Sequence, residues 1–251
     1  MDKKYNINDL KNVMKKLLSE NGCPWDKAQT HQSLKKYFIE ETYEVIDAIN
    51  NNDKDNLCEE LGDVLFQVIF HSELAEKKNL FLFDDVVDGI TKKMINRHPH
   101  IFSDNKISSI SDINLKWDSI KKQEKGYKSN VEIIKSVPKS LPALMRSEKI
   151  ISKAQKTKLD NINLSELIKE NNKLSASLEN INSLDNMEKM SFIGKFILNL
   201  SKISYFLQIN AEFSLTNALE MYINNLETIE KANVTAGGID EDTSSEGTIA
   251  D

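Results

Sequence analysis

Apolar residues recur at helical spacing along most of the chain, and polar punctuation cuts the pattern into segments. Ile7, Leu10, Val13/Met14 and Leu17/Leu18 mark an amphipathic helix over residues 7–20, which Asn21-Gly22-Cys23-Pro24 ends. Thr30 is placed to cap a helix over 31–50, and Asp53 to cap another over 54–78. The polar run Asn50-Asn51-Asn52-Asp53 lies between these two, so the spacing predicts an antiparallel hairpin. Further helices are expected from Asp84 to Pro99 and from a Ser111 cap to Lys125. Beyond them the periodicity returns over 143–158, 164–181, 186–209 and 214–231. With 8 Gly and 4 Pro in 251 residues, the expected fold class is all-α.

The hairpin carries the most specific signal. If the chain reverses at Asn52, residues whose numbers add to 104 face each other. Leu34 then meets Phe70, Phe38 meets Phe66, Glu41 meets Asp63 and Glu44 meets Glu60. Residues three apart share a helix face, so Glu41/Glu44 and Glu60/Asp63 project onto one seam. Four carboxylates there repel one another, and burial adds a desolvation cost. A hard divalent cation with oxygen ligands removes both difficulties, whereas a solvated acidic face is the plainer alternative. A di-iron bundle would need Glu-x-x-His pairs, and the partners here are Glu44 and Asp63, so the set favours Mg²⁺, with Mn²⁺ as substitute.

Charge narrows the function classes. A net charge of −6 gives no reason to expect binding to a nucleic-acid polymer. Residues 40–63 hold nine acids against one Lys, and residues 91–128 hold nine Lys/Arg against four acids. A cation plus an anionic ligand such as a polyphosphate suits that split. No apolar run approaches a membrane span; the longest, Val64 to Phe70, is interrupted by Gln67. Cys23 and Cys58 have no metal or redox spacing, so a reducing, cytoplasmic setting is expected.

The second half reads as a worn copy of the first. Glu170-x-x-Lys173 stands where the first has Glu41-x-x-Glu44, and Phe192-Ile-Gly-Lys195 where it has Glu60-Leu-Gly-Asp63. Lysine cannot ligate a cation, so chemistry is assigned to the first copy. The expected organisation is a catalytic helical domain over 1–128, a linker over 129–142, a degenerate helical domain over 143–231 and a disordered tail over 232–251.

Several strings together resemble the MazG family of nucleoside triphosphate pyrophosphohydrolases. They are Cys23-Pro24-Trp25-Asp26, Gln29-Thr30-His31, Glu40-Glu41-x-x-Glu44, Glu60-Leu61-Gly62-Asp63, Arg97-His98-Pro99-His100 and Leu141-Pro142-Ala143-Leu144. The resemblance is dense from about residue 20 to 150. It implies an all-α fold with Mg²⁺ between two antiparallel helices, usually in a homodimer, converting an NTP to an NMP and pyrophosphate for housecleaning or nucleotide-pool control. By position, Glu41, Glu44, Glu60 and Asp63 match the family's metal ligands, and Lys93, Arg97, Trp117 and Lys121 match positions for phosphate and base contacts. A non-catalytic helical dimer that binds nucleotide or a protein partner in a regulatory role is the alternative.

Individual residues carry paired expectations. Glu40, beside the ligand set, is the candidate to orient or deprotonate water, or else an ordinary exposed carboxylate. Lys93 and Arg97 share a helix face that either clamps phosphates or is simply solvated. Trp117 either stacks on a base or packs in the core. His31 and His71 are expected to pack or to support the site from behind, His98 to cap a helix, and Trp25 to plug the core.

Overall fold

A computed structural model describes residues 4–103 and 109–237. Twelve α-helices follow in order: α1 (Ile7–Leu17), α2 (Pro24–Ala28), α3 (Lys35–Asn50), α4 (Lys54–Glu76), α5 (Phe83–Arg97), α6 (Pro99–Phe102), α7 (Ile110–Lys125), α8 (Asn130–Lys135), α9 (Ala143–Lys156), α10 (Leu164–Ser177), α11 (Asn186–Phe206) and α12 (Ala211–Gly237). A 3₁₀ turn, Leu178–Ser183, joins α10 to α11. Among the described residues there is no strand, and no helix is long and apolar enough to cross a membrane. The chain divides into two compact units at Lys121/Lys122.

In the first unit the α3–α4 hairpin is the central element. The α3 helix ends because Asn52 takes the left-handed conformation, φ 54°. This lets Asp53 N donate to Ala48 O at 3.0 Å and Asn52 N to Ile49 O at 3.2 Å, the paired bonds that close a helix C-terminus. Asp53 then caps α4, accepting from Asn56 N at 3.1 Å. One face of α4 meets α3 and another meets α1. Met14, Leu18, Leu34, Ile69, Phe70 and Leu74 form the core, with Tyr37, Phe66 and Phe83 packed against it. Burying side chains of this size contributes about 1.5–3 kcal/mol each. Leu34 and Phe70 share this cluster, as the hairpin register requires.

The α1–α2 turn depends on Gly22, where a Cβ would sit 2.1 Å from Leu17 O. α5 packs on α4 and is tethered to α1 by Lys11–Asp84 at 2.9 Å. Most of α5 is exposed, including Val86, Val87 and Ile90.

The second unit repeats the plan. The α10–α11 hairpin packs against α9, and α12 lies against α9 and α11. Asp185 and Glu188 cap α11 reciprocally, at 2.8 and 2.9 Å. Lys202–Asp160 at 2.8 Å ties α11 to the segment before α10.

Five expectations need correction. The helix expected over 31–50 starts at Lys35, because Thr30 and Ser33 hydrogen-bond each other and hold residues 31–34 in a turn. Ser109, rather than Ser111, caps α7, its Oγ accepting from Asp112 N at 3.1 Å. The span 129–142 contains α8, capped by Ser129, so it is more than a linker. Trp25 is 52% exposed and leans its edge on Tyr37 at 5.8 Å, so it does not plug the core. Residues 232–237, expected to begin a disordered tail, continue α12, and 238–251 lie outside the described residues.

Candidate metal centre

Three of the four seam carboxylates converge. One oxygen each from Glu41, Glu60 and Asp63 lies within 4.8 Å of the others, Glu41 and Glu60 half-buried and Asp63 exposed. Glu44 falls outside this group, although its charge bears on both Glu41 and Glu60. The seam is wetter at this end than the hairpin pattern alone suggests. α3 and α4 position these groups simply by running antiparallel with Asn52 as pivot.

Both half-buried carboxyls are held above the usual carboxylate range. For Glu41 the causes are burial first, then the Asp63 charge, with Glu44 adding to them. For Glu60 burial again leads, followed by the charges of Glu44 and Asp63. These acids resist sharing negative charge, the electrostatic signature of a place that wants a cation.

The residues present fit such an ion. Opposite oxygen ligands of octahedral magnesium stand about 4.2 Å apart, twice a bond of about 2.1 Å. Drawing oxygens together from within 4.8 Å is a small rotation of flexible Glu and Asp side chains. The donors are all oxygen, and Asp63 is exposed at the rim, leaving room for water and phosphate.

Gln67 supports the cluster from below. It lies one turn beyond Asp63 on α4, 6% exposed, and its amide sits beside Glu41, opposing the upward push on that carboxyl. Its Oε1 is buried with no hydrogen-bond partner. One turn further, the parallel rings of His71 and His31 place their Nδ1 atoms 2.8 Å apart. One of these nitrogens must donate and the other accept. Burial, and secondarily the His31 charge, push the His71 imidazolium to lower pH. The sequence flagged Gln67 only as the polar break in an apolar run; its four-residue offset from Asp63 was the signal that it shares the cluster's face.

The other candidates lie on α3, α5 and α7. Glu40 is exposed on α3, outside the converging group. Lys93 is exposed and Arg97 half-buried on α5. Trp117 packs edge-to-face on His98 at 4.8 Å and carries the Lys121 ammonium over its ring at 5.3 Å. His98 joins α5 to α6, its Nδ1 2.6 Å from Met94 O, which accords with the capping expectation.

Comparison with known proteins fits this geometry. Residues 29–102 match the MazG nucleotide pyrophosphohydrolase domain, the span that holds the hairpin and all four seam acids. The nucleoside triphosphate pyrophosphohydrolase/pyrophosphatase MazG of Thermotoga maritima is 35% identical over 224 residues, covering 89% of this chain and 85% of that protein. This chain belongs to the MazG family. A nucleoside triphosphate pyrophosphohydrolase of Escherichia coli K12 is 44% identical over 145 residues, covering 57% of this chain and 55% of its own length. The uncharacterized protein YabN of Bacillus subtilis is 47% identical over 146 residues, 58% of this chain and 30% of that protein. Two of these MazG relatives thus extend well beyond the stretch they share with this chain.

Proposed function

We propose that the first unit is a Mg²⁺-dependent nucleoside triphosphate pyrophosphohydrolase, converting an NTP and water to an NMP and pyrophosphate. The observation that carries this reading is the convergence of Glu41, Glu60 and Asp63 within 4.8 Å, in a chain of the MazG family. The printed names of the T. maritima and E. coli relatives support the same activity.

Glu41, Glu60 and Asp63 would hold the cation, with Glu44 beside them adding its charge. A bound Mg²⁺ or Mn²⁺ neutralises the triphosphate and the charge that develops on the leaving pyrophosphate. Gln67 keeps the Glu41 carboxylate oriented and ionised. Glu40 accepts the proton of the attacking water, its exposure leaving it free to do so. Lys93 and Arg97, one turn apart on the helix that packs on α4, take phosphate oxygens. Lys121 adds charge beside Trp117, whose remaining ring face is available to a base.

The protein acts as a homodimer in this reading. Val86, Val87 and Ile90 on α5, each 37% or more exposed and about one helical turn apart, offer an apolar face to a second copy. Cys23 and Cys58, both free, suit a cytoplasmic setting.

The test is incubation of the purified chain with a panel of NTPs, with and without Mg²⁺, scoring NMP and pyrophosphate. Glu41→Gln and Asp63→Asn should each lower turnover at least about a hundredfold while leaving helicity intact. Undiminished turnover in either variant refutes the ligand assignment. Nucleotide-dependent thermal stabilisation without any turnover would instead favour a regulatory binder.

A further inference from the structure

The second unit repeats the hairpin with its charges reversed. Setting α10 on α3 and α11 on α4 brings Lys169, Glu170 and Lys173 to the places of Glu40, Glu41 and Glu44. It brings Phe192 and Lys195 to the places of Glu60 and Asp63. Two contacts support this register independently of the sequence pattern. Lys195 Nζ lies 3.0 Å from Glu170 Oε1, pairing the counterparts of Asp63 and Glu41 across the hairpin. Asn199, buried and one turn beyond Lys195, stands beside Glu170 as Gln67 stands beside Glu41. The scaffold of the site has survived while its chemistry has changed.

Five carboxylates have thus given way to three ammonium groups, one carboxylate and one phenyl ring. The Lys195 ammonium neutralises Glu170, and its hydrogen bond holds that carboxyl below the usual range. Lys169 and Lys173, one helical turn apart and exposed, have no ion-pair partner among the described residues. They border an open groove of about 490 Å³, with Lys195 on its far wall, Ser177 at one end and Glu166 the only further charge. In the first unit positive charge has to be brought by an ion before a phosphate can approach. Here it is covalently built in.

We propose that this groove binds a diphosphate group without a divalent ion, Lys169 and Lys173 taking the phosphate oxygens while Lys195 cancels Glu170. The occupant is inorganic pyrophosphate or the phosphate tail of a nucleotide. The site is non-catalytic, because its two carboxylates are Glu170, which Lys195 already engages, and Glu166 one turn before it, and among the described residues no metal-ligating cluster forms there. The inference does not rest on hydrolysis in the first unit, and its test runs under conditions where that reaction does not proceed.

The full chain is titrated calorimetrically in excess chelator at low ionic strength, once with inorganic pyrophosphate and once with ADP. Binding of one equivalent per chain is expected. It should weaken at least about tenfold in Lys169→Ala/Lys173→Ala and persist in Lys169→Arg/Lys173→Arg. Thermal melts of both variants verify that α10 and α11 remain folded. Much tighter binding of ADP identifies a nucleotide as the occupant, and equal or weaker binding identifies pyrophosphate. The proposal is overturned if neither ligand binds in chelator. It is overturned equally if Lys169→Ala/Lys173→Ala binds like the parent, or if Lys93→Ala/Arg97→Ala abolishes the binding.

Discussion

Replacing Gln67 by methionine separates what the buried amide does for the fold from what it does for the carboxylate cluster. Two contributions to stability oppose each other. The amide faces Glu41 and favours its charged form, and such an interaction with a charged group is worth at most about 1.5–3 kcal/mol. The same amide buries Oε1 without a partner, which costs about 1–3 kcal/mol. Methionine has nearly the same length, leaves no cavity and carries no unsatisfied oxygen. The two terms largely cancel, so the net change in stability should stay within about 1 kcal/mol, a few degrees in Tm for a unit of this size.

The effect on metal binding has no such cancellation. Glu41 is already pushed up by burial and by Asp63, and the Gln67 amide is the group that opposes this. Without it the carboxyl holds its proton to higher pH and loses its orientation. Apparent affinity for Mg²⁺ should fall about tenfold or more, in line with the loss of a polar partner behind a metal ligand. The assay is a pair of thermal melts, in chelator and across a Mg²⁺ titration, on parent and Gln67→Met. A Tm in chelator lowered by more than about 8 °C would show that the amide mainly holds the core. An unchanged Mg²⁺ midpoint would show that it does not act on the cluster.

Two further outcomes follow from the same hairpin. His71 titrates below its ordinary value of 6.5, so the unfolded chain takes up a proton at higher pH than the folded chain does. Its contribution to stability is therefore complete above that value and is lost as pH falls through the folded one. The Tm difference between parent and His71→Phe should narrow from about pH 7.5 to about pH 5.5, and a pH-independent difference counts against this account. At the hairpin turn, Asn52→Ala should cost about 1 kcal/mol and Asn52→Gly almost nothing, because the left-handed φ of 54° penalises a Cβ without a polar group; equal melting temperatures for the two variants would contradict that.

What could be read from the chain was whatever helical periodicity fixes. The reversal at Asn52 sets which residues face each other, and from that alone Leu34 meets Phe70 in the core and Glu41 meets Asp63 in the cluster. Side-chain choices within that frame were not legible. Glu44 has the right helical phase, yet it stays exposed beside Glu41 and Glu60 instead of converging with Glu41, Glu60 and Asp63. Local competition for backbone groups was equally hidden. Thr30 looks like a helix cap, but its reciprocal bonds with Ser33 hold a turn and delay α3 to Lys35. The worn second copy was visible as lysines at ligand positions; the pairing of Lys195 with Glu170 needed three dimensions, because α10 and α11 are separated by a 3₁₀ turn that breaks any simple register.

The two hairpins also show why chemistry and charge neutralisation are separable on this fold. Any carboxylate at the position of Glu41 needs a positive neighbour, since burial at the seam penalises the lone anion. An ammonium such as Lys195 meets that need permanently, but it has three donors and no vacant coordination site, so it cannot hold carboxylates, phosphate and water around a single centre. A divalent ion can, with retained waters and up to six oxygen ligands. On the proposed reading, the Lys195 solution therefore preserves folding and an anion-binding surface while giving up the metal site. The first hairpin keeps the costlier arrangement, three oxygens within 4.8 Å and two carboxyls held above their usual range, and under the proposed function that is the exchangeable charge that turnover of a triphosphate would require.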